Sequence, residues 1–173
     1  GCALDFVRQS KDVSPAVLVL DVRMPGMSGV ELQERLADMG RHTPIIFISG
    51  ESQGQESIQG RKGGAIEFLW KPFQIQALLD AVERGIALDR ERRELFARET
   101  SVRRKISELS GREKEVFLLI LQGHGNKDIG EILNIQPDTI KKHRANILQK
   151  MQASHLADLM QMCHGLDVPA MLG

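Results

Sequence analysis

Cysteine is scarce in this 173-residue chain: Cys2 and Cys163 lie near opposite ends with no metal-type spacing. That suits a reducing cytoplasm better than a disulfide framework. Long apolar runs are missing as well. The longest, Val116 to Leu121, has six residues, far below the roughly 20 that a membrane-spanning helix needs, so no membrane span is expected. No basic stretch leads into an apolar leader, so no targeting peptide is predicted. Internal repeats and low-complexity tracts are absent. Net charge is absent too, because 23 basic and 23 acidic side chains cancel.

What is present is enough apolar material for an ordinary soluble core, 42% hydrophobic against 27% charged, on a length that suits one large domain or two small ones. The zero total hides a distribution: residues 1–84 carry 9 basic and 11 acidic groups, 85–108 carry 7 and 5, and 109–173 carry 7 and 7. Within the last block, residues 139–151 hold Lys141, Lys142, Arg144 and Lys150 and no acid. A local charge of +4 is where a nucleic-acid reading has to begin.

Residues 16–84 alternate short apolar runs with amphipathic stretches. Ala16 to Leu20, Ile45 to Ser49 and Ile66 to Trp70 read as buried parallel strands. Ser28 and Glu31 have capping-box spacing and open a helix that Gly40 closes. A weaker helix is predicted from Gln55 to Lys62 among glycines. After the third strand, Ile75, Leu78, Leu79, Val82 and Ile86 keep helical spacing. The β-α order implies an open, doubly wound parallel sheet. Residues 85–108 are densely charged, with sparse apolar positions at Leu88, Leu95, Val102, Ile106 and Leu109, and read as a long helical linker that either pairs with itself or is simply solvated.

Ligands of such sheets bind beyond the carboxyl ends of the strands, where Asp21, Ser49 and Lys71 fall. A carboxylate, a hydroxyl and an ammonium together can accept, orient and neutralise a phosphoryl group. Taken singly, each residue reads as a cap or a solvated charge. The segments Leu18 to Gly29, Ile46 to Gly50 and Gly64 to Phe73 closely resemble the receiver domain of two-component response regulators, a flavodoxin-like fold. The resemblance implies that Asp21 is the phosphoacceptor, that Ser49 hydrogen-bonds the phosphoryl group, that Lys71 neutralises it and that Phe68 is the aromatic switch. It also implies Mg²⁺ held by Asp21 and the backbone carbonyl of Arg23, and a cis Lys71-Pro72 bond. The family's acidic pair on the first strand has no counterpart here, since Asp5 and Asp12 lie in a helix-like stretch and a loop. The chain is therefore read as an N-terminally truncated receiver lacking its first strands, in which Mg²⁺ binding is weak or absent and phosphorylation slow.

From Leu109 onward, a second capping box at Ser110 and Glu113, a stop at Gly123 and Gly125, a short helix capped by Asn126, a turn at Asn134 to Gln136 and a helix from Pro137 to about Met151 make a helix-turn-helix pattern. Ser154 is expected to cap a final helix. On a helical wheel, Ile140, Ile147 and Met151 group on a core side, with His143 beside them. Asp138, Lys142, Ala145 and Gln149 lie opposite, flanked by Lys141, Thr139 and Asn146. A small Ala among long polar residues allows close approach to base edges, and Lys donates to guanine acceptors. Arg144 and Lys150 sit at the core's margins, which suits phosphate contact. A solvated face on a core helix is the competing reading. Leu109 to Val116, Asn126 to Ile129 and Thr139 to Arg144 resemble the LuxR-type helix-turn-helix, so that with the receiver nearly the whole chain resembles regulators of the FixJ/NarL type. By that resemblance Lys141, Lys142 and Ala145 face bases, while Lys127, Thr139 and Arg144 serve the DNA backbone. Gln136 stands where the family has a capping Ser, and Asp138 puts an acid near phosphates, where the helix dipole tolerates it.

His124, His155 and His164 with Cys163 show no ligand spacing, so no metal site is read from them. The expectation is a receiver at 1–84, a helical linker at 85–108 and an all-α DNA-binding domain at 109–165. A sensor histidine kinase, double-stranded promoter DNA and a second copy of the chain are its expected partners, and RNA polymerase is a candidate. Leu156, Leu159 and Cys163 are the expected dimer contact. Two rivals stand beside it: a truncated receiver that no longer senses phosphate and only dimerises, and a phosphatase using an Asp21 phosphoenzyme. The phosphatase needs a second carboxylate two residues on, where Arg23 stands, so no enzyme is expected.

Overall fold

The computed structural model describes residues 15–50 and 63–172. The helix expected at 55–62, and Asp5 and Asp12, lie outside the described residues. The chain divides into two compact units between Glu94 and Leu95.

The first unit holds a parallel sheet of β1 (Leu18–Asp21), β2 (Ile45–Ser49) and β3 (Glu67–Trp70), in that spatial order. Leu18 pairs with Ile45 and Asp21 with Ile48, and Ser49 pairs with Trp70. β1 ends on Asp21, which places that carboxylate at the carboxyl end of the strand as expected. The pleat sends alternate side chains to opposite faces. Phe47 and Phe68 go to one face, where Val30, Leu32 and Leu36 of α1 (Gly29–Asp38) cover them. Ile46 and Leu69 go to the other, against Ala81 of α2 (Ile75–Ser107). Full burial of a side chain such as Phe47 stabilises by about 1.5–3 kcal/mol. Two helix-covered faces are why β2 and β3 read as continuous apolar runs; β1, expected to be buried, is only partly so, with Val19 42% exposed.

The Ser28 capping box forms as its spacing predicts: the Ser28 hydroxyl accepts from Glu31 N–H at 3.1 Å, and the Glu31 carboxylate accepts from Ser28 N–H at 2.8 Å. Gly40, at φ +70°, turns the chain beyond that helix.

Helix α2 is longer than the charged linker alone and crosses the division between units. Its charged centre is not wholly solvated. Asp89 is 4% exposed, and its carboxylate accepts from Ala16 N–H at 2.9 Å and Arg93 Nε at 2.7 Å. Gly85 lets the helix sit against the strand starts, since a Cβ there would lie 2.6 Å from Val17.

The second unit is helical: the end of α2, then α3 (Gly111–Leu121), α4 (Asn126–Leu133), α5 (Pro137–Met151), α6 (Leu156–Cys163) and α7 (Val168–Leu172). Val102, Ile106 and Leu109 are buried in its core with Phe117, Ile129, Ile140 and Ile147. Those three apolar positions of the expected linker are thus taken up within the chain, and self-pairing through them is corrected. Leu159 and Cys163 of α6 are buried in the same core, so the expected dimer stripe faces the chain's own interior.

Candidate functional site

Two places carry candidate functional side chains, one in each unit. At the carboxyl ends of the strands, Asp21, Ser49 and Lys71 come together as the sequence predicts. Parallel pairing sets them level: Val22 N–H donates to Ile48 O at 3.0 Å, and Lys71 N–H to Ser49 O at 2.8 Å. Lys71 Nζ then lies 2.8 Å from Asp21 Oδ2. The other carboxylate oxygen, Oδ1, accepts from Arg23 N–H at 3.0 Å. The Lys71 hydrogen bond, followed by the Arg23 amide, holds the Asp21 carboxyl below its ordinary value, against a smaller opposing effect of burial. Asp21 is thus an ionised, partly exposed carboxylate at neutral pH.

Ser49 is buried at the end of β2. Phe68 is also buried, its ring 4.9 Å from Phe47 and 6.0 Å from Trp70, centroid to centroid. The Lys71-Pro72 bond is cis. Gly29 lets α1 begin close to Asp21, since a Cβ there would sit 2.6 Å from the Asp21 carbonyl oxygen. The sequence reading missed that Gly and the Arg23 amide; neither has a side-chain signal. Among the described residues no three His, Cys, Asp or Glu side chains cluster as a metal site. Asp21 and the Arg23 carbonyl supply at most two protein ligands toward the six that Mg²⁺ takes, and Lys71 and Arg23 already occupy the carboxylate. The described donors do not by themselves fit the ion.

In the second unit, α4, a tight turn and α5 form the helix-turn-helix. Asn134, in the left-handed region at φ 53°, makes the turn, and Gly130 fits beneath it, where a Cβ would lie 2.7 Å from Ile135 O. Arg112 of α3, which the sequence reading passed over, donates to Leu133 O at 2.7 Å and satisfies a carbonyl at the end of α4. The caps differ by one residue from expectation at two helices. Gly125, not Asn126, precedes α4, with Gly125 N–H donating to Asp128 at 3.1 Å. His155, not Ser154, caps α6 through its Nδ1. Gln136 makes no side-chain cap, as expected, and Pro137 opens the helix instead.

Ile140, Ile147 and Met151 are fully buried, which fixes the opposite face of α5 outward. Thr139, Lys142 and Ala145 are exposed there. Lys141 is exposed but paired with Asp138 at 2.8 Å. Lys127 on α4 is 84% exposed, with Glu131 at 3.9 Å. Arg144 donates to Asn126 Oδ1 at 3.0 Å, which ties the two helices together. Lys150, expected at phosphate, is engaged within the chain instead: its ammonium lies 2.6 Å from the buried Glu113 carboxylate. That contact is the main cause of a Glu113 carboxyl lowered to about 2. The basic patch is therefore smaller than the charge count suggested.

Comparison with known proteins agrees with both units. The profile described as "Response regulator receiver domain" matches residues 2–83, and that described as "Bacterial regulatory proteins, luxR family" matches residues 107–163. Nodulation protein W of Bradyrhizobium diazoefficiens is 38% identical over 170 residues, covering 98% of this chain and 75% of that protein. The transcriptional regulatory protein FixJ of Rhizobium meliloti is 37% identical over 163 residues, covering 91% and 77%. Among solved structures, the response regulator StyR superposes with a TM-score of 0.77 at 43% identity, covering 93% of this chain and 81% of that one.

Proposed function

Because the chain belongs to the response regulators that join a receiver domain to a LuxR-type DNA-binding domain, we propose that phosphorylation of Asp21 controls promoter binding by α4 and α5. Receiver domains of this family take their phosphoryl group from a histidine kinase and use Mg²⁺ at the site. In this chain an Asp21 oxygen attacks phosphorus, an oxygen–phosphorus bond forms, and the bond to the kinase's histidine nitrogen breaks. Lys71 offsets the charge on the transferred group, and the Ser49 hydroxyl donates to one of its oxygens. Once Asp21 carries the phosphoryl group as an acyl phosphate, its charge and its claim on Lys71 change. Ser49 is drawn toward the phosphoryl group, and Phe68 repacks behind it. The observation that carries this reading is the 2.8 Å Lys71–Asp21 pair at the strand ends.

The receiver is assigned to 1–84, the linker to 85–108 and the DNA-binding domain to 109–165. Dimerisation on phosphorylation would present two helix-turn-helix units to two half-sites. Lys142, Lys141 and Ala145 are assigned to base edges, and Lys127, Thr139 and Arg144 to the backbone. Arg144 does so only by sharing Asn126. No described helix is long and apolar enough to cross a membrane, in keeping with action on DNA in the cytoplasm.

The test is covalent labelling by a small acyl-phosphate donor with Mg²⁺. The wild-type chain should gain one phosphoryl group and the Asp21→Asn variant none; equal labelling would overturn the assignment. A chain that binds DNA but takes no label would be the dimerising DNA-binding module of the rival reading.

A further inference from the structure

Asp138 occupies an unusual place for an acid. At 100° per residue it lies nearly opposite Ile140 and Ile147 on α5, in line with Lys142, Ala145 and Gln149, and its side chain is 85% exposed. It is in the first turn, the part of a recognition helix that meets base edges. Resting on the assignment of α5 as the DNA-reading helix, we propose that Asp138 and Lys141 together read one C·G base pair, with Asp138 accepting from the cytosine amino group.

The argument is one of donors and acceptors. An ionised carboxylate can only accept hydrogen bonds, and phosphates around it repel it. In the major groove the donors are cytosine N4 and adenine N6. Adenine places its N7 acceptor beside N6 on the same edge, facing the second carboxylate oxygen. Cytosine has no acceptor there.

Lys141 completes the match. Its ammonium gives one hydrogen to Asp138 Oδ1 at 2.8 Å and keeps two more. Guanine N7 and O6, in the same base pair as the cytosine, are the acceptors for them. The pair thus offers an acceptor beside a donor to a base pair that offers a donor beside acceptors. Lys141 also holds the Asp138 carboxyl below its ordinary value, so the acid is ionised at neutral pH. As an exposed ion pair alone, the two would add little to the helix.

Selection from a random duplex library with the full chain tests this. Wild type should enrich a half-site with one position fixed as C·G. Asp138→Ala should lose that discrimination, roughly 5- to 150-fold, while the other positions keep theirs. Asp138→Asn should move the position to A·T, because a carboxamide pairs bidentately with adenine N6 and N7. The Asn variant retains size and polarity, so its preference reports the base contact even where the Ala variant frays. An unchanged motif in both variants, or tighter binding to all sequences by one factor, overturns the proposal. Failure of wild type to enrich any sequence would overturn the DNA-reading assignment of α5 itself.

Discussion

Lys150, at the end of the recognition helix, and Glu113, in the first turn of α3, form a 2.6 Å ion pair in which the carboxylate is almost wholly buried. The same carboxylate accepts from Ser110 N–H at 2.8 Å and so closes a capping box. One side chain holds a helix start, and through Lys150 it fixes the far end of α5.

Removing the ammonium strands a buried charge. Lys150→Met should destabilise the helical unit by about 3 kcal/mol at neutral pH, measured by urea denaturation. The Glu113 carboxyl is lowered from 4.5 to about 2, so its contribution is fully present above 4.5 and is lost as pH falls toward 2. Wild type should lose stability across that window. A Lys150→Met chain with the same acid-side slope as wild type would show that the pair is not its cause.

At the other site, Lys71→Ala removes the largest influence on Asp21. The Asp21 carboxyl should titrate closer to its ordinary value of 3.8, followed by carboxyl-carbon NMR, and acyl-phosphate labelling should fall. An unmoved titration would separate the two residues in solution. The effect on folding should be small, because both side chains are well exposed to solvent.

Lys142 distinguishes phosphate from base contact. Lys142→Ala should lower the salt slope of DNA binding by about 1 if it touches phosphate, or relax selectivity by roughly 1–3 kcal/mol at one position if it reads a base. Anisotropy titrations at several salt concentrations decide between them. Binding and selectivity that both stay unchanged would remove Lys142 from the interface.

The turn of the helix-turn-helix offers a steric test. Gly130→Ala puts a Cβ 2.7 Å from a backbone oxygen and should cost about 1–3 kcal/mol, with weaker DNA binding. Gly111→Ala, where a Cβ meets nothing within 4 Å, should fall within roughly 0.5 kcal/mol of wild type. Thermal melts of both compare them directly.

Local grammar was readable: both capping boxes, the Pro at the start of α5 and the strand-end trio of Asp21, Ser49 and Lys71 are written in short spacings. Contacts between distant residues were not. Lys150 and Glu113 stand 37 residues apart, and Asp89 meets Ala16 across 73, so Glu113 read only as a capping-box partner and Asp89 as an ordinary member of a charged helix. The α6 stripe erred in another way. Periodicity marks a face that must be covered, but it does not say whether the cover comes from the same chain or another.

That covered stripe gives the protein an internal reporter. Cys163 is 7% exposed, and its burial pushes the thiol above its ordinary value, so the intact unit keeps its sulfur protonated and shielded. Alkylation at this position therefore waits on opening of the helical core. In a Cys2→Ser chain, the rate of thiol capture becomes a clock for that opening. Operator DNA should slow the clock, because a ligand that binds only the closed form makes opening rarer.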